Sequence, residues 1–342
     1  MRLLSELIYA CLITAILVLC IGFSAPLRLM AASQFIGGPV LGFIPDDGGT
    51  AIRLVVGIPG ASILGQRLEL DVDIRGVTIS PKQDYAIASR VADAQTVVID
   101  VAADPPVVTP VTGAHPGAEL VAVSPTGSVA AEYDHVSGTI QVIGGLPRSP
   151  AVVAEFDTSL MSGRATALTV SDDGTIALMR VVDSDNAGLW VVGSSNGPWR
   201  ISLDRPSAAA FFPNRRDAVV TDDATRSAFL MRDIDHAGTQ VPLLSAADGI
   251  ETFSSVSVAK DGRRVFLADA SSGVITTVDV ETRTPILASC QCRPTGLYRL
   301  SGDSIFRLTE SSGEPMMVLD ASSSDPRISI IPPAASVAAQ PR

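Results

Sequence analysis

The sequence predicts an all-β protein: a seven-bladed β-propeller of four-stranded antiparallel blades, preceded by an N-terminal apolar targeting segment. Three observations carry that expectation. One phrase recurs seven times, at about the 40–45-residue period of four-stranded propeller blades. Alternating apolar runs are separated by clusters of Gly, Asp, Asn and Ser, which are hairpin signals. No stretch beyond residue 34 keeps a 3.6-residue apolar period, so helices should be nearly absent.

The first element is residues 1–33. From Leu7 to Leu27 there is no charged residue, with Arg2 and Glu6 before the run and Arg28 after it. Ala31-Ala32-Ser33 offers small residues for signal-peptide cleavage, giving a mature chain that starts at Gln34. The alternative is an uncleaved anchor, because the run 7–27 is long enough to span a bilayer. Both place the rest of the chain outside the cytoplasm, in the periplasm or secreted.

The propeller is expected over residues 34–333. Its phrase is an apolar strand, a Ser or Pro, a polar turn and a second apolar strand: VTISPKQDYAIAS, VAVSPTGSVAAEY, LTVSDDGTIALMR and so on. The marker falls at Pro45, Ser80, Ser124, Ser171, Pro213, Ala259 and Ser301, in steps of 35, 44, 47, 42, 46 and 42. Each copy then continues into further strand-like runs, as in TALTVS, TIALMRVV, GLWVVG and PWRISL. Isolated hairpins cannot bury both faces. Stacking small sheets around an axis buries them and leaves only short edges. The last copy already holds four runs, so the ring should close by packing, without borrowing an N-terminal strand. The first copy is shorter, as terminal repeats are. Residues 334–342 read as a disordered tail.

The net charge of -11 and pI near 4.7 exclude a nucleic-acid partner, which needs Lys and Arg against phosphates. Lys82 and Lys260 are the only lysines. The expected partner is a protein, peptide or glycan, bound by a monomer.

The sixth copy, KDGRRVFLADASSGVITTVDVETRTPI from Lys260 to Ile286, resembles the bacterial YVTN-type, WD40-like repeat. That repeat pairs a DGxxVYV strand with a VxVID-T strand; TVVIDVA, Thr96 to Ala102, is similar. The Tyr-Val-Thr-Asn core is replaced by Phe266-Leu267-Ala268-Asp269, and the WD dipeptide of WD40 repeats is missing. The resemblance implies a propeller in an extracytoplasmic setting and implies no reaction, because the fold hosts many functions.

Six copies place an acid in the loop from the second to the third strand: Asp93, Asp134, Asp183 with Asp185, Asp222 with Asp223, Asp269 and Glu310. These loops open on one face. The acids either focus a negative field that attracts calcium or a basic partner, or serve their own turns by accepting backbone hydrogen bonds. DSDNAG, from Asp183, lacks the distal Glu of an EF-hand loop. His115 and His135 should share that face with Asp134 and are the weak candidates for acid–base catalysis; His236 should lie on the opposite face. No G-x-S-x-G, G-x-G-x-x-G or Walker A motif is present. Cys290 and Cys292 are too few for a zinc site and bridge only if the backbone kinks between them; the alternative is two free thiols. Trp190, Trp199, Phe211, Phe212 and Phe266 should be core.

These features favour a non-catalytic binding module with no cofactor. The alternatives are an enzyme of the lactonase or sugar-hydrolase kind and a tethered structural envelope protein. An enzyme needs titratable groups that converge on the central channel.

Overall fold

Seven small antiparallel sheets, each built from consecutive strands, are arranged around one axis. The computed structural model describes residues 38–333 apart from 47, 194–196, 237 and 312–313. The expected targeting segment, 1–33, and the expected tail, 334–342, lie outside the described residues. Helix among the described residues amounts to two 3-10 turns, Ile234–His236 and Ala246–Asp248.

Blade 6 shows why the sequence folds this way. Its strands run outward in chain order: Ser255–Val258, Arg264–Asp269, Val274–Asp279 and Pro285–Ser289. Side chains alternate across a strand. Val265 and Leu267 therefore enter the apolar cluster shared with blade 5, while Phe266 and Ala268 enter the one shared with blade 7. In blade 5, Val219 faces forward in the same way, and Ala218 and Val220 face back to blade 4. With both faces covered, a second strand is apolar at successive positions. Seven such clusters occur among the described residues, one at each contact between neighbouring blades. Phe211, Phe212 and Phe266 are fully buried in them; Trp190 and Trp199 pack half-buried at their margins.

The recurring serine closes the turn between the innermost and second strands. The N–H groups of Ser80, Ser124 and Ser171 donate to the carbonyls of Tyr85, Val129 and Ile176. Each Oγ accepts the N–H of that same partner residue. Phe212, Ala259 and Leu300 make the same backbone bond, to Asp217, Arg264 and Ile305. In copies five and seven the equivalent position is thus one residue before Pro213 and Ser301.

Blade 1 differs from the expected four strands. Among the described residues it has three, Val40–Asp46, Ala51–Ile58 and Ala61–Arg67. Its innermost strand also runs opposite to the other six. The strand begins beside its neighbours' first turns, where the Ser301 N–H donates to the Leu41 carbonyl at 2.8 Å. It ends on the other face, where the Ser311 hydroxyl donates to the Pro45 carbonyl and lies 3.2 Å from Asp46 Oδ1. There too the Val77 N–H, near the start of blade 2, reaches the Gly49 carbonyl. Parity explains the reversal. Four strands begin and end on one face, whereas three must begin on the opposite face to deliver the chain to Ile74, where blade 2 begins. Pro45 is therefore not the counterpart of Ser80, and the first step of 35 residues is short for that reason.

The channel-side edge of this reversed strand is capped. Residues 41, 43 and 45 turn their backbone polar groups away from the second strand, and proline at 45 has no N–H to leave unpaired. Gln83, in the first turn of blade 2, accepts the Phe43 N–H and donates to the Arg299 carbonyl, linking blades 1, 2 and 7. Blade 7 keeps four strands of its own, Tyr298–Arg299, Ile305–Arg307, Met316–Asp320 and Arg327–Ile331. The ring thus closes by packing, as the sequence predicts.

Replacing Gln83 by Ala orphans one buried donor and one buried acceptor, at about 1–3 kcal/mol each. Q83A should lower the unfolding free energy by roughly 2–4 kcal/mol in chemical denaturation. A loss within about 0.5 kcal/mol, the size of an ordinary surface change, would show that this clamp is unimportant.

Candidate functional site

The seven innermost strands enclose a central cavity of about 280 Å³. Its walls are mostly apolar, with Phe43, Ile79, Val123, Phe211, Val258 and Leu300 contributed by different blades. Thr78, Thr169, Ser257 and Tyr298 add hydroxyls. Among the described residues its lining holds no acid and no histidine; its charged members there are Arg299 and Arg307, both from blade 7.

The two arginines lie on opposite sides of blade 7. Arg299 pairs across the strands with Phe306, whose ring its guanidinium overlies at 5.1 Å, on the blade 6 side. It donates to the carbonyls of Val258 and Asp303, and burial pulls its pKa below the ordinary arginine value. Arg307 pairs with Tyr298, lies 4.2 Å from that ring's centre, and donates to Glu310 at 2.6 Å.

The loop acids lie where the sequence places them, on one face, but almost all have local partners. Asp134 accepts the N–H groups of Val136 and Ser137; burial raises its pKa, but these bonds outweigh it and hold it below the ordinary range. Asp222 accepts from Arg205 and Ala224, and Asp223 from Phe253 of the next blade. Asp269 is buried, which raises its pKa, yet bonds from Ser271, Thr252 and Glu251 hold it far below the ordinary range. Asp93, Asp183 and Glu310 pair with Arg90, Arg164 and Arg307. Asp185 is exposed. The reversed strand of blade 1 adds a further acid to this face, Asp46, held by Arg53 and Arg67, so that each of the seven blades contributes at least one. Among the described residues, no three His, Cys, Asp or Glu side chains are placed together to hold a metal ion.

His115 lies near Asp134 and His135 beside Glu119, and neither is in the channel lining. His115 Nδ1 is 4.0 Å from Asp134 Oδ2, and His135 Nδ1 is 2.8 Å from Glu119 Oε1. His236 pairs with Asp233 at 3.3 Å. One group that sequence reasoning missed is Glu132. It is 1% exposed in the second strand of blade 3, with Oε2 accepting from Thr96 at 2.6 Å and Oε1 lacking a partner among the described residues. Burial pushes its carboxyl up to about 7, against the Thr96 bond and the nearby His115; Asp134 adds to the rise.

Cys290 and Cys292 are bridged, with Cα atoms 5.1 Å apart. Their two-residue kink lies directly on Gly273, which has φ +68°; a Cβ there would fall 2.6 Å from the Cys290 carbonyl and 2.7 Å from that of Cys292. A side chain at 273 is excluded twice over.

Solved structures match this architecture over most of the chain. Hydrazine synthase from Kuenenia stuttgartiensis superposes with a TM-score of 0.52 at 10% identity, covering 89% of this chain and 99% of that one. A functionally unknown protein from Desulfotomaculum acetoxidans gives 0.52 at 12%, covering 83% and 96%. Dihydro-heme d1 dehydrogenase NirN, in complex with DHE, gives 0.52 at 16%, covering 89% and 66%. The likeness is one of fold. No protein-family model matches the chain, and the sequence of no curated protein does.

Glu132 sets a pH dependence. It ionises near 4.5 when unfolded and near 7 in the fold, so the stability it contributes is full below pH 4.5 and is lost as pH rises through 7. Glu132→Gln should match the unaltered protein near pH 4. Its advantage should grow to a plateau of at most about 3 kcal/mol by pH 8. Unfolding curves across that range check this; a gap that does not change with pH would refute it.

Proposed function

We propose that the protein is a non-catalytic, extracytoplasmic binding module, a monomeric propeller of YVTN-type repeats. The observation that carries this is the composition of the central cavity. Propeller chemistry at the axis needs acids, bases or a metal brought together, and here seven blades contribute apolar walls, hydroxyls and two arginines, without a carboxylate or imidazole in the lining. The acid-rich face supports the same conclusion, because its carboxylates are occupied by turn N–H groups and arginines. The apolar run 7–27 and the Cys290–Cys292 bridge support export, since disulfides persist in oxidising compartments.

The test uses protein recovered from the extracytoplasmic fraction of its host, whose chain should begin near Gln34. Lactone and aryl-glycoside hydrolysis should proceed at the rate of the buffer alone. Hydrolysis above that rate, lost in His115→Ala, would replace this proposal with an enzyme.

A further inference from the structure

Blade 7 gives the channel a chemically distinct wall. The chain carries a net charge of -11, yet both charged groups lining its central cavity are cationic. Arg307 is 2% exposed, and its Nε has no hydrogen-bond partner among the described residues. Its Nη1 is committed to Glu310, whose side chain is 46% exposed and so leans toward solvent. Tyr298 covers the guanidinium face and is itself 41% exposed, with its ring in the cavity lining. On the other side of the blade, the Arg299 guanidinium is held by two backbone carbonyls. The Arg307 charge is thus answered locally by one half-exposed carboxylate, Glu310, while Arg299 has Asp303 nearby, an acid that Lys260 shares.

A buried cation with an unmade donor is costly, and an anion that supplies the missing acceptor restores both charge balance and hydrogen bonding. The remaining walls set what the anion must carry. They are apolar around most of the circumference, which disfavours a bare inorganic ion. The volume of about 280 Å³ stands at the small end of ligand sites. We propose that the central channel binds a small amphipathic carboxylate, with its head at Arg307 beside Tyr298 and its apolar body along the innermost strands. This rests on the reading of the protein as a binding module and names the ligand class of that module.

Calorimetric titration of the purified protein with octanoate, 1-octanol and octylamine, three probes of equal chain length, tests it. Octanoate should bind at least tenfold more tightly than octanol, and octylamine should give no binding. Arg307→Gln should weaken octanoate at least tenfold and leave octanol unchanged. Ala210→Phe fills the cavity from the blade 5 wall, keeps both arginines, and should abolish both. Equal affinity for octanoate and octanol, no octanoate binding at millimolar concentration, or full binding in either variant would overturn the assignment. If R307Q does not fold, the probe ratio in the unaltered protein and the A210F result decide. Octanoate that binds as expected but is recovered chemically altered would overturn the non-catalytic reading and leave the channel assignment standing. Absence of octanoate binding overturns the channel assignment alone.

Discussion

Everything else in this fold depends on how blade 7 meets blade 1. Six of the seven blade contacts join neighbours in the chain; the seventh joins its two ends. The seam is apolar, with Leu41, Ile44 and Val55 of blade 1 packed on Leu300, Met316, Val318 and Ile331 of blade 7. Burial of seven such side chains supplies on the order of 10 kcal/mol as an upper figure. The Gln83, Ser301 and Ser311 hydrogen bonds at the same seam contribute about 1 kcal/mol each. The apolar seam therefore closes the ring, and the polar clamps set the position of the reversed strand within it.

Closure has consequences for both faces and for the channel. Reversing one strand carries Asp46 to the face where the other blades place their loop acids, and Ser311 of blade 7 meets it there. It also leaves a backbone edge beside the channel, which is covered by Gln83 and tolerated by Pro45. Blade 7, the partner in this seam, is the blade that contributes Arg299 and Arg307 to the cavity. The features that set this propeller apart from a generic ring thus gather at the contact between its first and last blades.

Much of this was legible in the sequence. The repeat period, the hairpin signals and the four runs of the last copy are enough for a ring closed by packing. The reversed strand was not, because FIPDDGGTAIRLVV has the same phrase as the regular hairpins and a one-dimensional pattern does not show direction. The loop acids stand at the ends of the second strands, and their engagement with N–H groups and arginines is a matter of three-dimensional partners. Glu132 and Arg307 were missed for a shared reason. Each stands in a second strand, in AAEYD and SIFRL, where both faces are covered and its own charge is buried. That signal was present: a charged residue inside a strand whose neighbours are all apolar.

Ring closure rests on the seam, and a truncation tests it most directly. Ending the chain before Arg293 removes blade 7 and bares the blade 6 face around Phe266 and Ile275 and the blade 1 face around Leu41 and Ile44. Closed-ring packing predicts that this protein aggregates or unfolds without a cooperative transition in a thermal melt followed by circular dichroism. A soluble monomer with a single cooperative transition near that of the full chain would contradict it.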